Sequence, residues 1–139
     1  MARVIFYEKP GCGGNARQKA LLIASGHELD VRNLLTEPWT VTSLRPFFGA
    51  NPLPEWFNSS SPRVKSGAVK PGELTPDLAL AMMIADPLLI RRPLMQVAER
   101  REAGFDHAQV DAWIGLRPTA VTVTDTCLKD RAPPAAAAD

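Results

Sequence analysis

Two strand-like segments flank a helix-like segment at the start of this 139-residue chain. Residues 4–7 are β-branched and aromatic and run into a Lys-Pro-Gly turn, which is typical of a buried strand. Residues 13–25 carry apolar side chains at helical spacing before a stop at Gly26, and residues 28–32 alternate polar and apolar. A strand, a helix and a strand in so short a span predict a βαβ unit with parallel strands. The predicted inward face of the helix consists of Ala16, Ala20, Leu21 and Ala24.

The later segments predict further helices and then a hairpin. Thr40 caps a short predicted helix that ends near Phe48, and residues 51–72 are mostly loop. Thr75 caps a longer helix that ends before Pro87. Residues 94–97 predict a strand, residues 101–105 its hairpin partner, and residues 106–115 a final helix. The predicted apolar stripe of the longer helix consists of Leu78, Ala81, Met82 and Ala85.

This order, βαβ followed after several helices by ββα, predicts an α/β fold with a thioredoxin-like mixed sheet. We expect one domain over residues 1–116, with a helical insertion at about 38–88, and a C-terminal tail over residues 117–139. Residues 119–126 alternate Thr with Ala or Val and could pair as an edge strand, whereas residues 131–139 are predicted to be disordered. A thioredoxin-like sheet presents its reactive cysteine at the N-terminus of the first helix, where Cys12 lies.

The composition excludes several classes of function. Sixteen basic residues against fifteen acidic ones leave no electrostatic footprint for nucleic acid. No apolar run approaches the roughly 20 residues that span a bilayer, and the N-terminus becomes charged too early for a signal peptide. We therefore expect a cytoplasmic protein that binds neither nucleic acid nor membrane.

Two cysteines and two histidines are too few and too scattered for a structural zinc site. We expect no metal and no tightly bound cofactor. A permanent disulfide between Cys12 and Cys127 is disfavoured in a reducing cytoplasm, while a transient catalytic one stays open. The simpler interpretation of Cys127 is an incidental exposed thiol in the tail.

Cys12 is the strongest candidate for a chemically active residue. It follows a strand and a tight turn and begins a helix, where the macrodipole and unpaired backbone N–H groups favour the thiolate. Lys9 adds a nearby cation. We expect the Cys12 side chain to be partly exposed. A buried, inert cysteine is the alternative.

The segment Arg91-Arg92-Pro93 precedes a predicted strand. By itself it predicts a strand-start proline beside surface charges. In a thioredoxin-like sheet, however, a cis-proline at this place faces the catalytic cysteine, and cis peptide bonds occur mostly before proline. We therefore expect a cis Arg92–Pro93 bond and an Arg92 guanidinium turned toward the Cys12 pocket, where it suits oxyanions and favours a thiolate.

These two segments together resemble the glutaredoxin-dependent arsenate reductase family, a group with a thioredoxin fold. The runs that carry the resemblance are Lys9-Pro10-Gly11-Cys12-Gly13-Gly14-Asn15 and Leu89-Ile90-Arg91-Arg92-Pro93. Trp56-Phe57-Asn58, Val64-Lys65-Ser66-Gly67 and Arg91-Arg92-Pro93-Leu94-Met95 resemble its nitrogenase-associated branch. The resemblance covers about residues 3–115.

The resemblance implies that Cys12 is the nucleophile and Arg92 the arginine before the proline, with glutathione or glutaredoxin as the reductant. It also implies that the family's two further oxyanion-binding arginines are missing. Asn58 replaces one, with Arg63 and Lys65 close by. Where the other is expected, the sequence offers only Gly104-Phe105 or, displaced, Arg100 and Arg101. Arsenate is therefore an unexpected substrate. The expected substrate-binding residues are Lys9, Gly13, Gly14, Asn15, Asn58, Arg63, Arg91 and Pro93.

Two hypotheses of function follow from the sequence. The first is a thiol-dependent oxidoreductase with Cys12 as nucleophile and an external thiol that resolves the adduct. The second is a binding or regulatory protein on the same scaffold, associated with nitrogenase-related proteins, because a fold does not fix a function. The family also contains a transcription-regulating branch with a Cys-x-x-Cys pair, but Asn15 stands at the second cysteine position.

Overall fold

The fold is built around one four-stranded sheet with the strand order β2-β1-β3-β4. A computed structural model describes residues 2–118 of the chain. The strands are β1 (Arg3–Glu8), β2 (Glu28–Asn33), β3 (Leu94–Val97) and β4 (Arg100–Ala103). The helices are α1 (Gly13–Ala24), α2 (Val41–Leu44), α3 (Pro62–Lys65), α4 (Pro76–Ala85) and α5 (His107–Ile114), with 3-10 turns at Arg45–Phe47, Leu53–Trp56, Pro71–Glu73 and Pro87–Leu89. This is the predicted thioredoxin-like mixed sheet.

The pairing of the strands determines which loops meet. β1 pairs with β2 in parallel, as the βαβ prediction requires, and β3 lies antiparallel to both β1 and β4. Tyr7 faces Leu94 in the register, so the C-terminal end of β1 lies beside the N-terminal end of β3. The loop that leads to Cys12 and the Arg92–Pro93 segment therefore lie at the same end of the sheet.

The sheet carries a separate core on each face because successive side chains of a strand point to opposite sides. Val4 and Phe6 pack with Leu22 of α1 and Val110 of α5 on one face. Tyr7 points to the other face, where the helices between β2 and β3 pack. There it contacts Trp39 and Phe47, with ring centroids 4.8 and 5.7 Å away. Burial raises the pKa of Tyr7, and the nearby Glu37 carboxylate adds to the shift.

Three predicted helix starts are confirmed by their capping bonds. The Thr40 side chain accepts from Ser43 N–H in a capping box, and Thr75 accepts from Leu78 N–H. Asp106 accepts from Gln109 N–H at the start of α5. The helix predicted from Thr40 to Phe48 is divided into α2 and a 3-10 turn, because Pro46 cannot donate a helical hydrogen bond.

The predicted inward faces of two helices are wrong at most of their positions. On α1 the alanines at 16, 20 and 24 are exposed, whereas Leu21 is buried as predicted, together with Leu22. On α4, Leu78 is 50% exposed and Ala81 is also exposed, while Leu80 and Met83 fill the core. Leucine and methionine bury more apolar area than alanine, so they decide which way each helix turns.

The predicted hairpin is correct except for its register. Val97 faces Arg100, so the turn consists of Ala98 and Glu99 and β4 begins one residue earlier than expected. Ala98 adopts a positive φ of 54°, which this two-residue turn requires and the alanine did not signal.

The predictions for residues 119–126 and 131–139, and for Cys127, lie outside the described residues. Within residues 2–118, no helix is long and apolar enough to cross a membrane. The same residues contain no group of three or more His, Cys, Asp or Glu side chains suited to a metal ion.

Candidate active site

Cys12 is the N-cap residue of α1 and directly follows the turn after β1. Gly11 makes that turn with a φ of +83°, a backbone conformation that favours glycine. The Cys12 N–H donates to Lys9 O at 3.1 Å, and its carbonyl accepts from Ala16 N–H at 3.1 Å. The thiol thus lies at the positive end of α1, as the sequence predicts.

The prediction that Cys12 is partly exposed is wrong, since only 4% of the residue is accessible. The loop around Cys12 is bonded to the side chain of the buried Asn15. Its Oδ1 accepts from Lys9 N–H at 3.0 Å, and its Nδ2 donates to Gln18 Oε1 at 2.9 Å. These bonds hold the loop against the first turn of α1.

The Arg92–Pro93 bond is cis, which confirms the prediction. Pro93 is buried at the start of β3, and its carbonyl accepts from Gly104 N–H at 2.8 Å. Arg92 is only 8% exposed, and its Nε has no hydrogen-bond partner among residues 2–118. A buried guanidinium with an unpaired N–H is costly unless an anion or acceptor meets it.

Arg92 lines a cleft of about 380 Å³ at this end of the molecule. Segment 56–58 and segment 89–91 bond to each other and form its frame: Arg91 N–H donates to Trp56 O, and Asn58 N–H donates to Leu89 O. The cleft brings together two expected substrate-binding residues, Asn58 and Arg91, and the expected catalytic residue Arg92. Its walls consist of Pro54, Glu55, Phe57, Asn58, Ser59, Ser60, Arg91 and Arg92.

A sequence model of the ArsC family matches residues 7–113 of the chain. The chain belongs to the ArsC family. The match covers both the cysteine loop and the Arg92–Pro93 segment, the two runs on which the resemblance rested.

Individual relatives agree with this assignment. An uncharacterised 15.7 kDa protein in the draG 3′ region of Rhodospirillum rubrum is 55% identical over 116 residues, which are 84% of this chain and 81% of that protein. The global transcriptional regulator Spx of Lactiplantibacillus plantarum is 25% identical over 109 residues, 77% of this chain and 83% of that protein. The structure of arsenate reductase from Vibrio cholerae superposes with a TM-score of 0.63 at 23% identity, covering 73% of this chain and 89% of that one, which shows the shared fold.

Several expected site residues of this ArsC-family protein have structural partners. Arg63 lies on α3, outside the walls of the cleft, and its Nη1 pairs with Asp86 Oδ2 at 2.9 Å. Asn58 Oδ1 accepts from Ser60 N–H at 3.1 Å and so shapes the cleft wall. Gly13 and Gly14 form the first turn of α1, and Lys9 is half-buried beside them. Cys12 follows β1 at the end of the sheet where Pro93 precedes β3. It is not a wall residue of this cleft.

Two residues that contact Arg91 were not predicted as binding residues. The Glu55 carbonyl accepts from Arg91 Nη1 at 3.4 Å. Gly104, which follows β4 with a φ of +82°, lies against the Arg91 guanidinium. The one signal in the sequence was a glycine directly after the hairpin, where a positive φ is common.

Proposed function

We propose that this ArsC-family protein is a thiol-dependent oxidoreductase in which Cys12 is the nucleophile and glutathione or glutaredoxin supplies the electrons. The observation that carries the proposal is the position of Cys12 at the N-terminus of α1. It lies at the end of the sheet where the cis Arg92–Pro93 bond directly precedes β3. A helix N-terminus favours the thiolate, the form of cysteine that attacks.

In the proposed reaction the Cys12 thiolate bonds to the oxidised centre of the substrate and displaces a leaving group, which takes up a proton. A glutathione thiolate then attacks Cys12 Sγ, releases the substrate reduced by two electrons and leaves a mixed disulfide. A second thiol, from glutathione or glutaredoxin, frees Cys12 and completes a disulfide with the first. Two thiols are oxidised for each substrate reduced.

The proposed roles of the surrounding residues follow from their contacts. The buried Arg92 guanidinium would stabilise negative charge on the substrate, and Arg91 and Asn58 would bind it from the adjacent walls. Pro93 would present the backbone across which a thiol ligand lies. The turn residues Lys9, Gly13, Gly14 and Asn15 would hold the Cys12 loop, a role that the bond from Lys9 N–H to Asn15 supports.

We propose that the substrate is not arsenate. Asn58, on the cleft wall, is neutral, and Arg63 is paired with Asp86 rather than turned to the cleft. Each charge-assisted hydrogen bond that is missing removes about 1.5–3 kcal/mol of binding free energy. Tight binding of a free arsenate ion is therefore not expected.

The alternative is a binding or regulatory protein that associates with nitrogenase-related partners and leaves Cys12 redox-idle. The low exposure of Cys12 favours it. The description of the 55% identical relative, in the draG 3′ region, supports the link to the nitrogenase-associated branch rather than to one reaction.

The two functions are separated by a coupled reductase assay with a small mixed disulfide, glutathione, glutaredoxin and glutathione reductase. We expect turnover above the rate of glutathione and glutaredoxin alone, an increment that Cys12→Ser abolishes and Cys127→Ser preserves. With arsenate in place of the disulfide, we expect a rate close to that of the Cys12→Ser variant. Equal rates for wild type and Cys12→Ser with the disulfide would favour the binding protein, and fast, Cys12-dependent arsenate turnover would contradict the substrate proposal.

A further inference from the structure

The Arg91 guanidinium occupies the space that a side chain at position 104 would need. A Cβ atom added to Gly104 would lie 2.6 Å from Arg91 Cζ and 2.8 Å from Arg91 Nη2. Such separations are shorter than real Cβ contacts, so any other residue at 104 would displace the guanidinium. The glycine therefore determines where the Arg91 charge lies.

The backbone N–H and the guanidinium of Arg91 are both held by hydrogen bonds to residues 55 and 56. Its N–H donates to Trp56 O at 3.0 Å, and Nη1 donates to Glu55 O at 3.4 Å. The side chain lines both the 380 Å³ cleft and a second cavity of about 150 Å³ beside β4 and α5. Arg91 and Glu55 thus line both spaces.

Two consecutive guanidinium groups contribute to the cleft wall. Arg92 is 8% exposed and its Nε has no partner among the described residues, while Arg91 is half-buried beside it. The facing wall offers the neutral groups of Asn58, Ser59 and Ser60, and one exposed carboxylate, Glu55. Adjacent guanidinium forks and neutral donors suit an oxyanion, which each fork can meet with two N–H groups.

We infer that Gly104 is a positioning residue that holds Arg91 beside Arg92 as the second cation of an oxyanion subsite in this cleft. The ligand class is an oxyanion group of the substrate, such as a carboxylate or a sulfonate. The inference rests on the proposed function in taking the cleft as the substrate site, but it does not depend on the redox chemistry of Cys12.

The test is a sulfate titration of the folded protein, followed by NMR through the backbone amides of Asn58 and Ser60, at constant ionic strength because salt screens charges. Wild type is compared with Gly104→Ala, Arg91→Gln and Gly67→Ala. Gly67 is the matched control, since it has the same φ of +82° with no atom near its missing Cβ, so both alanine variants carry the same backbone strain.

We expect Gly104→Ala and Arg91→Gln each to weaken sulfate binding about tenfold, the loss of one charge-assisted contact. Gly67→Ala should bind as wild type does. The double variant Gly104→Ala/Arg91→Gln should bind no more weakly than Arg91→Gln alone, because Gly104 acts through Arg91.

Four results would overturn the inference. Gly104→Ala could bind like Gly67→Ala, or Arg91→Gln like wild type. The double variant could bind more weakly than Arg91→Gln, which would assign the effect to the bond between Gly104 N–H and Pro93 O. Wild type could show no sulfate-dependent shift at Asn58 or Ser60, which removes the subsite whatever the Cys12 assay shows. If Gly104→Ala does not fold, Arg91→Gln alone decides whether the second cation exists.

Discussion

Asn15 is a buried polar residue that bonds to the loop beside Cys12. It stands where the related Cys-x-x-Cys pair has its second thiol, but here it is 1% exposed and bonds to both Lys9 N–H and Gln18. A cysteine there could form a disulfide within the loop, whereas this amide bonds the loop to the first turn of α1.

The first prediction concerns this amide. Asn15→Ala should lower the free energy of unfolding by about 2–3 kcal/mol, because it leaves the partly buried Lys9 N–H unpaired and removes the buried bond to Gln18. It should also speed alkylation of Cys12 by iodoacetamide in a Cys127→Ser background, since the loop is no longer held. Urea unfolding and timed mass spectrometry measure the two effects. Asn51→Ala, at a half-buried asparagine, is the control, and an equal effect at both positions would contradict the role of Asn15.

At the level of single residues, the sequence predicted what local chemistry determines. Cys12 at a helix start follows from a short motif, and the cis Arg92–Pro93 bond follows from placing a second motif in a thioredoxin-like sheet. The burial of Cys12 does not follow from its motif, because burial depends on how the whole chain packs around the residue. The pairing of Arg63 with Asp86 was equally invisible, since 23 residues separate them.

At the level of elements, capping residues predicted helix starts better than periodicity predicted helix faces. Thr40, Thr75 and Asp106 cap through contacts within three residues, so the sequence contains the whole interaction. α4 carries apolar side chains all round its axis, and its orientation is decided by packing against the sheet. Periodicity alone cannot select a face in that case.

His27 joins three elements that meet at the opposite end of the sheet from Cys12. Its Nδ1 accepts from Ala2 N–H at 2.9 Å, and its Nε2–H donates to the Gly115 carbonyl at 2.7 Å. The ring therefore links the start of β1, the turn before β2 and the end of α5. It is only 6% exposed, so water replaces neither bond in the folded protein.

We predict that His27→Ala lowers the free energy of unfolding by about 2–3 kcal/mol, through the loss of two buried hydrogen bonds. Hydrogen exchange at the end of α5 should increase at the same time. Ile23→Ala, at a side chain that is 61% exposed on the neighbouring helix, should change the stability by no more than about 0.5 kcal/mol. A loss at His27 no larger than at Ile23 would show that the histidine does not hold these elements together.

At the scale of the whole molecule, the sheet order could be predicted and the cleft could not. The βαβ unit and the hairpin define the strands, and the usual thioredoxin-like order joins them. The cleft depends on segment 56–58 bonding to segment 89–91 and on Arg91 fitting against Gly104, contacts between parts of the chain far apart in sequence. Such contacts leave no periodic signal.

The central claim is that Cys12, although buried, is the thiol that reacts. It is tested by exposing the native, full-length protein to oxidised glutathione and locating the adduct by peptide mass spectrometry, with Cys127→Ser and Cys12→Ser in parallel. We expect a glutathione mixed disulfide on Cys12 in both wild type and Cys127→Ser, which glutaredoxin and reduced glutathione remove. An adduct found only on Cys127, with Cys12 unmodified in folded protein, would contradict the claim and leave the binding-protein function in its place.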